Sequence, residues 1–227
     1  MKLKKIASLA LAGVMAVSML AGCSGNGSNG DNDNNNGGNT VVEPSTSSIV
    51  TAFNDGQDKD NKVKVTFSSD ASLDAALQKA GKEVGSSATT LSVMRYVVGL
   101  MGKSYDSVNN FAGFAGAETP DRHIADKQSK TMIGVMMFAS AGYWTEEDAI
   151  DAAAREVDEQ IAEFAADNKN ASKPNGTDDP DRVGDTYYTF DYTGTVSMVS
   201  VAQESGATNY YVVYTITQTA AQQTVKA

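Results

Sequence analysis

Thr186-Tyr187-Tyr188-Thr189-Phe190-Asp191-Tyr192, Thr195-Val196-Ser197-Met198-Val199-Ser200-Val201-Ala202 and Asn209-Tyr210-Tyr211-Val212-Val213-Tyr214-Thr215-Ile216-Thr217 are three runs of β-branched and aromatic residues close together near the C-terminus. Such residues fit a pleated, half-buried surface, so each run reads as a strand. Glu204-Ser205-Gly206-Ala207 between the last two has the composition of a hairpin turn. Adjacent strands joined by a tight turn pair antiparallel, and this pairing decides the fold.

Upstream of these strands the periodicity is mostly helical. Lys62-Val63-Lys64-Val65-Thr66-Phe67 alternates polar and apolar as a half-buried strand does. Ser68-Ser69-Asp70 then offers N-caps to a helix with Leu73, Ala76, Leu77 and Ala80 on one face and Gly81 as its stop. A second helix is predicted after Ser87 to Thr90, with Leu91, Met94, Val98 and Met101 on one face and Gly102 as C-cap. Shorter helical pieces are expected around Ser107 to Phe114 and Lys130 to Ala141, the latter reading equally well as a strand. The clearest helix begins at Thr145, where Thr145-Glu146-Glu147-Asp148 forms a capping box with Asp in place of Glu or Gln. Its apolar stripe is Ile150, Ala153, Ala154, Val157, Ile161, Phe164 and Ala165. Helices first and clustered strands last predict an α+β fold: an antiparallel sheet with helices packed on one face.

The N-terminus has a different character. Met1-Lys2-Leu3-Lys4-Lys5 is followed by an uncharged run from Ile6 to Leu20. As a helix that run would be roughly 22 Å long, short of the roughly 30 Å hydrocarbon core of a bilayer. It therefore reads as a cleavable signal peptide over 1–22. Leu20-Ala21-Gly22-Cys23 resembles the lipobox of bacterial lipoproteins, a resemblance confined to the first tenth of the chain. It implies a diacylglyceryl lipid on Cys23, cleavage before that residue, and a lipid-anchored protein on the extracytoplasmic face of the cell membrane. Two acyl chains hold a protein to a bilayer where one holds only marginally. Cys23 is the single cysteine, so once acylated it leaves no thiol for a disulfide, a zinc site or a nucleophile.

Residues 24–40 contain Gly, Asn, Ser, Asp and Thr with no large apolar side chain, and 41–48 continue without periodicity. Residues 23–48 are accordingly expected to be a lipidated cysteine and a flexible, disordered tether, spanning roughly 25–30 Å. Residues 49–227 are expected to form a single extracytoplasmic domain. Removing the leader takes away Lys2, Lys4 and Lys5 and no acid, so 18 basic against 28 acidic residues become 15 against 28, a formal net charge of −13. That balance argues against a nucleic-acid partner and against an anionic bilayer surface, so the domain is expected to stand off the membrane on its tether.

Chemical motifs are sparse. His123 is the single histidine, beside Asp121 and Asp126, with no Gly-x-Ser-x-Gly elbow to complete a triad, and it reads as a loop residue. Gly102-Lys103-Ser104 imitates the end of a phosphate loop, but Val97 stands where the earlier glycine is required. Two acidic loops are candidates for calcium, which takes six to eight hard oxygens. One is Asn54 to Asn61; the other, around Asp178, Asp179, Asp181 and Asp185, is the stronger, although both have the composition of ordinary solvated turns. Glu159 and Glu163, one helical turn apart, offer a carboxylate pair or simply a solvated face.

Six of nine tyrosines fall in the C-terminal strands. An outward set containing Tyr188, Tyr192 and Tyr211 would either present an aromatic row to sugar rings or a protein partner, or stabilise the sheet by cross-strand pairing. No catalytic residue is assigned. The expected function is a non-enzymatic binding or interaction module at the cell surface, with cell-wall glycan or a protein as partner. The alternative is an envelope hydrolase acting on wall glycan or peptide through acidic residues.

Overall fold

The computed structural model describes residues 41–42, 46–84, 89–103, 111–114, 129–139, 144–168, 186–203 and 205–224. Their elements run β1 Val41–Val42, α1 Thr46–Asp55, β2 Val65–Ser68, α2 Ala71–Val84, α3 Thr90–Leu100, a short 3-10 turn Phe111–Gly113, β3 Ser129–Phe138, α4 Glu146–Ala162, β4 Thr186–Ala202 and β5 Thr208–Thr224. The fold is α+β. All of these elements belong to the compact unit Gly37–Ala227.

The two long strands β4 and β5 pair antiparallel from Thr186↔Thr224 to Ala202↔Thr208. Gly206 closes their hairpin at φ +82, a conformation that favours glycine, and the Gln203 N–H donates to Ala207 O at 2.8 Å. The sequence reading divided β4 at Thr193-Gly194, yet it is continuous. Gly194 keeps register with both Phe67 and Ile216, and a Cβ there would overlap the Phe67 ring. β3, which the sequence left open between helix and strand, pairs antiparallel with β5 over its whole length.

β1 and β2 both pair with β4, β1 antiparallel and β2 parallel, so the sheet is mixed with a single parallel pair. Ordered structure begins before Ile49: Val41 and Val42 pair with Val201 and Ser200, and α1 starts at Thr46, so the expected tether ends earlier than residue 48.

The expectation that helices cover one face is corrected. Alternate residues of the central strands enter two separate apolar cores. Met198, Val212, Tyr214 and Ile216 pack with Ile49 and Phe53 of α1 and Val157 and Ile161 of α4. Val199, Val201, Tyr211 and Val213 pack on the opposite face with Leu73 and Leu77 of α2 and Val93 and Val97 of α3. A strand buried on both sides loses polar alternation. That is why NYYVVYTIT, residues 209–217, gives no hint of a solvent face.

Local signals set the helix ends. Thr89 and Ser92 form a reciprocal capping box on α3, as Thr145 and Asp148 do on α4. α3 ends in a Schellman turn: Gly102 N–H donates to Gly99 O at 3.2 Å and Lys103 N–H to Val98 O at 3.0 Å, with Gly102 at φ +62. α2 runs past Gly81, which is buried inside the helix, to Val84. The buried stripe of α3 is Val93, Val97 and Val98, rotated from the predicted one so that Leu91 faces outward.

β2 is held from its outer side by α1. The Asn54 amide accepts from Phe67 N–H at 2.8 Å and donates to Phe67 O at 2.9 Å. Gln57 repeats the arrangement at Val65, accepting at 2.9 Å and donating at 2.7 Å. The two side chains therefore occupy hydrogen-bonding positions that a further strand would otherwise fill.

Candidate functional site

On the α2–α3 face, the sheet changes character along its length. Beyond the apolar patch of Val199, Tyr211 and Val213, register places Ser68, Thr195 and Thr215 in one cross-strand row. The next row is Thr66, Thr193, Thr217 and Thr131, four threonines across β2, β4, β5 and β3. A third row holds Asp191, Thr219 and Ser129. These residues share a face because each is an even number of positions from a residue of the α2–α3 core or is paired with one that is.

The hydroxyls grade from buried to open. Ser197 and Thr215 are buried, Thr195, Thr217 and Thr131 are half-buried, and Thr66, Ser68, Thr193, Thr219, Ser129 and Asp191 are exposed. Neighbouring strands join through their side chains: Thr195 and Thr215 hydroxyls lie 2.7 Å apart, Thr131 and Thr217 hydroxyls 2.8 Å. Rows repeat at roughly 6.8 Å along a strand and roughly 4.8 Å between strands. Each hydroxyl is a donor and a twofold acceptor, so bonding to one neighbour leaves capacity for a ligand. Asp191 adds an acceptor at the open end. Such a strip can hold a polyhydroxylated molecule by many weak bonds.

The residues singled out from sequence fall elsewhere. Tyr211 is 0% exposed and Tyr192 5% exposed, and they lie on opposite faces of the sheet, Tyr211 in the α2–α3 core and Tyr192 in the α1–α4 core. Tyr188 is half-buried, on the Tyr192 side. The expected outward aromatic row is therefore not formed, because helices on both faces take Tyr192 and Tyr211 into separate cores.

Tyr192 serves the core. Its hydroxyl donates to Ala165 O at 2.7 Å and accepts from Gln218 Nε2 at 2.7 Å, while Phe114 and Phe164 pack on its ring. Burial pushes its pKa up, and the Gln218 bond offsets part of that rise. Tyr214 is raised in the same way by burial, with Glu156 adding to it and the bond to Gln160 opposing it.

The first acidic loop is used internally. Asp158 Oδ1 on α4 accepts from Asp58 N–H at 2.8 Å and from Asn61 Nδ2 at 2.7 Å, which docks the loop on the helix. Asn54 and Gln57 are committed to β2. Among the described residues no group of three or more His, Cys, Asp or Glu side chains converges in a manner that would hold a metal. Cys23, His123 and the second candidate loop, Asp178, Asp179, Asp181 and Asp185, lie outside the described residues. Glu156 and Glu159 of α4 and Glu163 at its C-cap are exposed.

Comparison with protein-family models, with curated proteins and with solved structures finds no match. The function must be argued from the site itself.

The hydroxyl strip was overlooked in the sequence although its signal is present. Thr66-x-Ser68, Ser129-x-Thr131, Thr193-x-Thr195 and Thr215-x-Thr217-x-Thr219 all place hydroxyls two residues apart. Only the register between strands turns these four runs into a surface.

Proposed function

We propose that the chain is a lipid-anchored extracytoplasmic binding protein of the bacterial cell membrane, whose hydroxyl strip recognises a polyhydroxylated ligand such as wall glycan. The observation that carries the binding site is the row Thr66, Thr193, Thr217, Thr131, of which Thr66 and Thr193 are exposed. Anchoring rests on the resemblance of Leu20-Ala21-Gly22-Cys23 to a lipobox. None of the described helices is long and apolar enough to cross a membrane.

Glycan recognition suits a surface of many small donors and acceptors. Each such bond contributes about 0.5–1.5 kcal/mol net, so useful affinity requires several at once. Hydrolysis would require two carboxylates facing one cleft, whereas Glu156 and Glu159 of α4 and Glu163 at its C-cap are exposed.

The test is a binding screen of wall glycan and peptidoglycan fragments against the mature chain, with mass spectrometry of every fragment afterwards. Binding without cleavage, weakened about tenfold or more in Thr193→Val plus Thr217→Val, supports the proposal, since each lost bond is worth about a factor of two to ten. Cleaved fragments would transfer the assignment to the hydrolase, and binding untouched by the double variant would move the site off the strip.

A further inference from the structure

The two helical layers differ sharply in charge. α1 and α4 together carry eight acids (Asp55, Glu146, Glu147, Asp148, Asp151, Glu156, Asp158 and Glu159) against Arg155 alone. α2, α3 and the turn after them carry four basic residues, Lys79, Lys82, Arg95 and Lys103, against Asp74 and Glu83. All four of these basic residues are exposed. Among the described helices the negative charge is therefore concentrated on one side of the sheet.

The basic side is also the apolar side. Leu91, Tyr96 and Leu100 are 49%, 42% and 44% exposed, the large exposed hydrophobics of the described residues. They share the outward arc of α3 with Arg95 and Gly99. Leucine and tyrosine among basic residues, on a helix lying flat on a sheet, form the pattern of an interfacial membrane surface. Tyrosine is at home at headgroup depth, and exposed Lys and Arg are drawn to anionic lipid.

We propose that the α2–α3 layer rests on an anionic bilayer, with Leu91, Tyr96 and Leu100 in the interfacial region and the basic residues on lipid phosphates. The acidic α1–α4 layer is repelled by the same surface, so the two layers act together to set one orientation. This replaces the expectation of a domain that stands off the membrane: total charge misleads when it is segregated. The inference takes its setting from the membrane-anchored reading, and the experiment supplies the anchor chemically so that the two can fail separately.

The compact unit begins at Gly37, so the chain from Cys23 onward retains it whole. Its single thiol is coupled to a maleimide lipid in vesicles of equimolar phosphatidylglycerol and phosphatidylcholine. In a Trp144→Phe background, which removes the single native tryptophan, Leu100→Trp places a probe on α3 and Glu159→Trp places one on α4. Brominated lipids should quench the α3 probe several-fold more than the α4 probe, and the difference should vanish in pure phosphatidylcholine or with Lys79→Glu plus Arg95→Glu. Equal quenching at both positions, or stronger quenching on α4, would overturn the proposal. So would a concentration-dependent emission shift of the α3 probe without lipid, which would make a second copy of the chain the occupant.

Discussion

The ring of Tyr214 lies across Gly134, its register partner on β3, and its hydroxyl donates to Gln160 Oε1 of α4 at 2.7 Å. A Cβ at position 134 would overlap that ring, which is stacked on Phe111 at 5.5 Å and set edge-on to Phe53 at 5.9 Å. Gly134→Ala should therefore lower stability by about 1–3 kcal/mol, the usual cost of overpacking a filled core. Tyr214→Phe keeps the ring and loses one bond, at about 1 kcal/mol plus the cost of leaving Gln160 unpaired. Urea midpoints of the two variants check both losses, and an unshifted midpoint in Gly134→Ala would show that the ring can move aside.

Asn54 and Gln57 give a second prediction. Each pairs both backbone groups of one β2 residue, so Asn54→Ala or Gln57→Ala strands an N–H and a C=O at the sheet edge. A loss of about 1–3 kcal/mol each is expected, together with faster amide hydrogen exchange at Phe67 in the first variant and at Val65 in the second. Unchanged exchange would mean the edge is protected by something other than these amides.

At alkaline pH the buried tyrosines set the limit. Tyr192 and Tyr214 have raised pKa values in the folded protein, so their contribution is fully present below the unfolded value of about 10 and lost as pH rises above it towards the folded value. Unfolding midpoints should fall steeply above about pH 10, and Tyr192→Phe plus Tyr214→Phe should flatten that fall while lowering stability at neutral pH.

Asp148 acts at the other end of the scale. Its carboxyl is held below the ordinary value of 3.8 by the Thr145 hydroxyl and then the Thr145 backbone N–H. The capping contribution is present above that ordinary value and disappears as pH falls through the lower folded one. Amide protection in the first turn of α4 should drop on acidification in the wild type and be independent of pH in Asp148→Asn over the same range.

Cys23→Ser tests the anchor. The variant should leave the membrane fraction, apart from unprocessed precursor, and should no longer incorporate labelled palmitate. An unchanged membrane-bound fraction would remove the basis for lipidation.

Much of the fold was legible because its signals are local. Thr145 to Asp148 and Gly102 announce helix ends through caps that involve only neighbouring residues, and Gly206 announces its hairpin in the same way. What could not be read depends on partners distant in sequence. The second buried face follows from helices that cover both sides of the same strands, and the place of Gly194 inside a strand rather than a turn shows only once Phe67, far upstream, is alongside it. The tyrosines misled for the same reason: alternation says that Tyr211 and Tyr210 point apart, but not that both directions end in a core. For the site, the spacing of Thr215, Thr217 and Thr219 was visible, whereas the threonine row emerges only once Thr66, Thr193 and Thr131 are brought alongside.

β1 has a mechanical meaning for a chain tethered at its N-terminal end. Load arriving from that side meets first Val41 and Val42, which are zipped to the sheet at only two register positions, Val201 and Ser200. The pair lies ahead of Ile49 and Phe53, which sit in the core. Were the chain held by the proposed lipid anchor, a pull from that side would be met by this two-residue pairing before it reached either core.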